Sequence, residues 1–317
     1  MHDPPSHTTH ALQITIQHAM TLLTDIAQLI ARHALPDSAV EPLDGLRLIH
    51  ATAPTAPSHT LCAPTFALVA QGSKRTVLGH QIFNYVAGEY LVASVDLPIS
   101  GHVVQASAQA PYLAMTVTLD PAAIASLLLE DADPPMDMRG PGIGVSVASQ
   151  DLLEVVRRLL RLVEQRQDIP VLAPMFRREL LWRLLAGEHG AMVREIGLAD
   201  SRLARISRAI AWIRDHYAQG LEGETLAEAA GMSPSSFYRH FRSITGMSPL
   251  QFQKQIRLQD ARARLLGGAP DVASVGFAVG YDSPSQFSRE YARLFGAPPG
   301  LDAKRRRETG GLEPGLP

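Results

Sequence analysis

Two periodicities divide the chain. Between residues 45 and 120 apolar residues come in short or alternating runs broken by Gly, Pro and Asn, as in Phe66-Ala-Leu-Val-Ala70, Arg75-Thr-Val-Leu78, Gln81-Ile-Phe-Asn-Tyr85 and Tyr90-Leu-Val-Ala-Ser94. Turn signals roughly every 8–12 residues predict a small antiparallel sandwich or barrel. From Gln150 the period becomes helical. Leu152, Leu153, Val156, Leu159, Leu160 and Val163 form a broad apolar stripe over 150–165, and Phe176, Leu180, Leu181 and Leu184 mark a second helix over 174–185. Both helices can complete the N-terminal core. Between sheet and helices, Asp133-Pro-Pro-Met and Gly140-Pro-Gly-Ile-Gly144 read as a mobile loop. Gly187-Glu-His-Gly190 and Gly197 to Asp200 punctuate an interdomain linker, placed at 191–200.

The C-terminal third contains a duplication. Ser233-Pro-Ser-Ser-Phe-Tyr-Arg-His-Phe-Arg-Ser-Ile-Thr-Gly-Met-Ser-Pro249 is echoed by Ser283-Pro-Ser-Gln-Phe-Ser-Arg-Glu-Tyr-Ala-Arg-Leu-Phe-Gly-Ala-Pro-Pro299 at a constant offset of 50, with eight of seventeen positions matched. Each copy carries its own helix punctuation. Ser233 and Ser283 are N-cap residues, Pro234 and Pro284 suit the first helical position, and Gly246 and Gly296 suit the left-handed stop. A short helix precedes each copy (Thr225–Gly231 and Val275–Gly280), ending in a turn glycine. Short helix, glycine turn, second helix with polar residues outward is the grammar of a helix-turn-helix. Flanking helices at Ser201–Tyr217 and Leu250–Leu266 supply Ile206, Ile210, Phe252 and Ile256 to bury.

Composition adds one decisive point. The net charge of −2 conceals an asymmetry: residues 201–307 hold 16 Lys/Arg against 9 Asp/Glu, whereas residues 1–200 hold 13 against 20. A basic segment on an acidic body points to a polyanion partner for the C-terminal part. A single cysteine, Cys62, excludes an internal disulfide framework and a multi-cysteine zinc site. Ala11 to Ile30 is the most apolar long stretch, but Gln13, Gln17, His18, Asp25 and Gln28 interrupt it, so neither a membrane span nor a signal peptide is expected. A cytoplasmic chain is the expectation.

With these residues in view, the region from Ser201 to Lys304 resembles the DNA-binding domain of AraC/XylS-type bacterial transcription regulators, most closely at Gly280-Tyr-Asp-Ser-Pro-Ser-Gln-Phe-Ser-Arg-Glu-Tyr291 and Phe295-Gly-Ala-Pro-Pro299. Gly276 departs from the family, which usually has alanine there; a helical glycine costs about 0.5–1 kcal/mol and is expected to loosen the second unit. The resemblance implies two recognition helices entering successive major grooves, about 34 Å apart. Base-edge candidates are Ser235, Tyr238 and Arg239 in the first helix and Ser285, Gln286, Ser288 and Arg289 in the second. Phosphate candidates are Arg242, Lys254, Arg257 and Arg293. The competing reading for Arg239 and Arg289 is pairing with acidic neighbours.

The run Phe66-Ala-Leu-Val-Ala-Gln-Gly-Ser-Lys-Arg75 and Gly88-Glu-Tyr-Leu-Val-Ala-Ser-Val-Asp-Leu-Pro98 resemble the cupin-like N-terminal domain of one branch of the same family, which implies a jelly-roll sensor. Lys74 and Arg75 are candidates for an anionic effector, against the plainer reading of a turn or edge-strand charge pair. His50, His59, His80 and His102 are spread without the His-x-His pair of metal-binding cupins, so no metal, cofactor or catalytic residue is expected. Cys62 reads as an inert buried thiol before a sensor. The expected whole is an α+β two-domain protein: an N-terminal helix (1–40), a cupin-like effector and dimerisation domain with C-terminal helices (41–190), the linker, an all-α domain with two helix-turn-helix units (201–307) and a disordered tail (308–317). Its expected partners are an operator duplex, an effector and, as the family implies, RNA polymerase and a second copy bound through 150–165 or 174–185 in place of a purely core role for that helix. The rival readings are a metal-dependent cupin enzyme with an appended DNA-binding domain, and a ligand-independent DNA binder.

Overall fold

The computed structural model describes residues 6–130, 140–269 and 271–308, with side chains from residue 17 to residue 306. The Asp133–Met136 part of the expected loop and the tail beyond Glu308 lie outside the described residues.

The N-terminal half is a two-sheet sandwich clad in helices. Strands β1 (Ser38–Leu43), β2 (Leu46–Ala51), β4 (Thr65–Gln71), β7 (Glu89–Ala93), β9 (Tyr112–Thr118) and β10 (Ile143–Val147) form one antiparallel sheet in the order β1-β2-β9-β4-β7-β10. Strands β3 (Ser58–Cys62), β5 (Ser73–Leu78), β6 (Gln81–Val86) and β8 (Leu97–Gln105) form the other, in the order β3-β8-β5-β6. The expected span of 45–120 misses both edge strands of the larger sheet, β1 and β10. Period-two alternation decides what each strand contributes. In β5 it sends Lys74 and Thr76 inward, 2% and 0% exposed, and Arg75 outward, where its Nε donates to Asn84 Oδ1 at 2.7 Å.

Helices cover the outer face of the larger sheet. Helix α1 (Ser6–His33) buries Leu22, Ile26, Leu29 and Ile30 on one stripe. Its partner α3 (Gln150–Arg161) starts at the Ser149 cap and buries Leu152, Leu153, Val155, Val156, Leu159 and Leu160. The apolar stripe of 150–165 therefore completes the core rather than an association surface. Helix α4 (Ile169–Leu185) begins five residues earlier than Pro174 suggested, because Pro170 opens it and Pro174 is absorbed inside. Helices α2 (Pro121–Leu128) and α5 (Gly190–Gly197) pack so closely that a Cβ at Gly197 would lie 2.7 Å from Ile124 Cγ2. The expected linker at 191–200 is thus largely a docked helix, with Met192, Val193 and Ile196 buried.

The C-terminal half comprises α6 (Arg202–His216), α7 (Gly223–Ala230), α8 (Pro234–Thr245), α9 (Pro249–Leu266), α10 (Val272–Ala278), α11 (Pro284–Phe295) and α12 (Pro299–Glu308). One continuous core runs from the sandwich through α6, α7 and α8 to Phe252 and Ile256 of α9. A second, smaller core gathers Leu258, Ala261 and Leu265 of the same helix with Val275, Phe287 and Tyr291. The sandwich touches the helical half at several places: the Gly142 amide donates to the Ile244 carbonyl at 2.8 Å, Asp96 pairs with Arg214, and His59 meets the Phe295 ring edge-on at 5.2 Å.

Lys74 carries a testable cost. Burial, opposed by Cys62 and assisted by Arg47, pushes its amine down to about 8 from 10.5. Between those values the unfolded chain holds the proton and the folded chain does not, so this residue's contribution to stability rises with pH across that window. Urea unfolding of wild type and Lys74→Met at pH 8 and pH 10.5 should show the wild type gaining about 3 kcal/mol relative to the variant. A difference that stays flat across the window would contradict the buried, shifted amine.

Candidate nucleic-acid interface

Both helix-turn-helix units are built as the repeat requires. The turns close at Gly231 (φ +62°) and Gly280 (φ +89°), and α8 and α11 stop at left-handed Gly246 (φ +70°) and Gly296 (φ +79°). Capping is asymmetric: the Ser283 hydroxyl accepts from the Gln286 amide, whereas the Ser233 hydroxyl makes no cap bond. Phe237, Phe241 and Ile244 of α8 and Phe287 and Tyr291 of α11 are fully buried, which fixes the rotation of each helix and turns its opposite face to solvent.

On that outer face of α8 stand Ser235, Tyr238, Arg239 and Arg242, all exposed; on α11 stand Ser285, Arg289 and Arg293, also exposed, with Ser288 beside them half-buried. Among the described residues neither a hydrogen bond nor an ion pair engages the side chains of Arg239, Arg242, Arg289 or Arg293. The acidic-neighbour reading of Arg239 and Arg289 therefore fails in this structure. Four unengaged guanidiniums on two matched helices present forked donors for base edges or phosphates. Tyr238 is 47% exposed, with its hydroxyl end lying across the backbone of Gly223, where a Cβ would meet it at 2.0 Å.

The other candidates are placed differently. Gln286 donates to Glu290 Oε1 at 3.1 Å, and Lys254 pairs with the same oxygen at 2.7 Å, while the Tyr281 hydroxyl donates to Oε2 at 2.8 Å. Burial would raise the Glu290 carboxyl, but these bonds from Lys254, Gln286 and Tyr281 outweigh it and hold the group below its ordinary value. Glu290 is thus a hub joining α9, the turn and α11. Arg257 donates to three backbone carbonyls, Tyr217 and Gly280 at 2.6 Å and Gln219 at 2.7 Å. Those bonds clamp the second turn to the end of α6, and they make Arg257 a framework residue rather than the free cation expected. Arg205 and Arg208 hold the first turn similarly, through the Gly231 and Ala230 carbonyls at 3.1 and 3.4 Å. Spacing along the chain could not reveal these clamps, since each joins residues more than 20 positions apart.

In the N-terminal half the pair Lys74 and Arg75 is split between the inside and the outside of one sheet, so the two cannot grip one anion together. His50 hydrogen-bonds the Ala34 carbonyl through Nδ1, His59 faces Phe295, and His80 lies on the exposed β5–β6 turn. Among the described residues no three His, Cys, Asp or Glu side chains are grouped to hold a metal ion. Cys62 is buried, and burial raises its thiol to about 11 despite Lys74, as expected for an unreactive thiol. No described helix is long and apolar enough to cross a membrane.

Residues 42–192 match the family model described as the AraC-type transcriptional regulator N-terminus, and residues 226–305 match a helix-turn-helix domain model. The chain resembles AraC-type transcriptional regulators, with the N-terminal match followed by a helix-turn-helix domain. Among curated relatives of the chain are the HTH-type transcriptional activators RhaS of Escherichia fergusonii, 28% identical over 152 residues (47% of this chain, 54% of the relative), and of Enterobacter sp., 26% identical over 150 residues (46% and 52%). The chain spans about half the length of these relatives. Among solved structures, unsaturated fatty acid bound ToxT from Vibrio cholerae superposes with a TM-score of 0.52 at 9% identity, covering 82% of this chain and 93% of that one. Another ToxT structure gives 0.51 at 9% identity, covering 83% and 98%. At that identity the likeness establishes the two-domain AraC-type fold.

Gly276 now has a physical reason. A Cβ there would lie 3.0 Å from Cδ1 and 3.1 Å from Cγ of Phe287, a ring that is fully buried in the second core. The glycine tightens the contact between α10 and α11 rather than loosening the unit. Gly276→Ala gains about 0.5–1 kcal/mol of helix propensity but overpacks a core, which costs about 1–3 kcal/mol. The expected net is a destabilisation of about 1 kcal/mol in urea unfolding; a stabilised variant would show that Phe287 yields easily.

Proposed function

We propose that this protein is a sequence-specific DNA-binding transcription regulator that reads two successive major grooves and answers to a small molecule bound by its N-terminal half. The observation that carries the reading is the pair of matched, solvent-facing helix surfaces with Arg239, Arg242, Arg289 and Arg293 unengaged. Ser235, Arg239, Ser285, Ser288 and Arg289 read base edges, with Tyr238 and Gln286 at the margin of the set because each leans on its own unit. Arg242 and Arg293 meet phosphates, and Lys254 does so on exchanging Glu290 for the backbone. Because the copies differ in sequence, each chain reads an asymmetric site. RhaS is named an activator, and activation through contact with RNA polymerase is the corresponding outcome here.

A second copy docks on α4. Its outer stripe leaves Val171, Met175 and Trp182 exposed at 66%, 59% and 44%, at helical spacing, whereas α3 has no apolar residue to spare. Sedimentation should show a dimer for the wild type and a monomer for Trp182→Glu; identical behaviour would remove α4 from the interface.

Footprinting of the full chain on the DNA flanking its own gene tests the DNA reading. The expectation is an asymmetric protected stretch of about two helical turns. Arg289→Ala should lose about 1–3 kcal/mol on that site and relax preference at one base pair. A uniform loss on all sequences would make Arg289 a phosphate clamp, and salt-sensitive retention without protection would overturn sequence-specific reading.

A further inference from the structure

Among the described residues, a groove of about 590 Å³ lies between α2, α4 and the β1–β2 end of the larger sheet, outside the helix-turn-helix units. That volume lies within the range of about 300–1,000 Å³ occupied by small-molecule sites. Its floor is apolar, made by Leu43, Val117, Ala173, Leu180 and Leu181. Two arginines of α4 contribute to its polar lining. Arg177 is half-buried and donates to the Asp44 carbonyl, which leaves four of its five N–H groups; Arg178 stands at the rim, paired with Glu130. Pro174 has no amide hydrogen, so the Pro170 carbonyl one turn earlier lacks its helical donor, and both prolines line the groove. The rim carboxylates Asp44 and Asp120 are exposed and form no ion pair with Arg177 among the described residues, and Asp120 caps α2 by accepting from the Ala122 amide at 2.9 Å.

From this arrangement we infer that the groove between α2 and α4 binds an organic carboxylate with an apolar body, its head held by Arg177 and its body on the leucine floor. The inference rests on the ligand-responsive reading above and gives it a location apart from the sandwich interior. It also gives the ligand a route to the DNA-binding half. Helix α5 packs on both α2 and α4, with Gly197 against Ile124 and the Ala125 amide, and leads directly into α6. An occupant that sets the spacing of α2 and α4 therefore sets the seat of α5.

Titration of the full chain with 8-anilinonaphthalene-1-sulfonate, an aromatic anion, should give saturable one-to-one fluorescence enhancement. The signal should be displaced by 4-phenylbutyrate and not by 4-phenylbutanol. Ser126→Trp, which fills the groove, should abolish binding, and Arg177→Gln should weaken 4-phenylbutyrate at least tenfold; melting temperatures near the wild type establish that both variants fold. Undiminished dye binding by Ser126→Trp, or equal displacement by acid and alcohol, would overturn the assignment. The footprint of the same preparations separates the two readings. Protection without groove binding removes this inference alone, and groove binding without protection removes the DNA reading alone.

Discussion

Helix α9 answers to two cores at once. Phe252 and Ile256 on its first half are buried with the sandwich and the first helix-turn-helix unit, and Leu258, Ala261 and Leu265 on its second half are buried with the second unit. A helix is stiff over this length, since every interior residue adds a backbone hydrogen bond. The helix therefore sets the distance and phase between the two recognition helices, and neither unit can rotate without breaking its packing on α9. The Ser248–Gln251 capping box at its start and the Arg257 clamp in its middle reinforce the same constraint.

The units differ in how firmly they are tied to the N-terminal half. The first shares its core, and its recognition helix ends where the sandwich meets it, with Ile244 bonded to Gly142 and the Gly246 carbonyl against Gly79. The second reaches the sandwich through thinner contacts such as His59 with Phe295. Its integrity depends instead on internal charge: the buried Arg262 and Asp302 pair at 3.0 Å, with the Tyr291 hydroxyl on the same carboxylate at 2.8 Å. Removing one partner of such a buried pair strands the other, so this network constrains substitution more tightly than its net contribution to stability would suggest.

The sandwich and its helices meet the DNA-binding half through α5, a segment whose glycines mark an interdomain linker in the sequence. Docked on α2 and α4, it makes the junction a packed surface, and packed surfaces move between discrete arrangements rather than bending continuously. In the ligand-responsive reading proposed above, a small molecule bound by the N-terminal half acts through this docked helix on the exposed arginines of α8 and α11.

The local sequence determined the repeat, its capping residues, its glycine stops and the faces of the recognition helices, because a helix of fixed period places Phe237 and Phe241 opposite Ser235 and Arg239 whatever surrounds it. Alternation likewise announced most of the inner strands. Tertiary structure decided what crosses large sequence distances. It recruited the edge strands β1 and β10, engaged Arg257 and Gln286 within their own unit, split Lys74 from Arg75 and used Gly276 to admit Phe287. It also assembled a groove from segments around residues 43, 120 and 175. Those outcomes depend on which groups meet in space, and periodicity carries no information about partners more than a turn or two away.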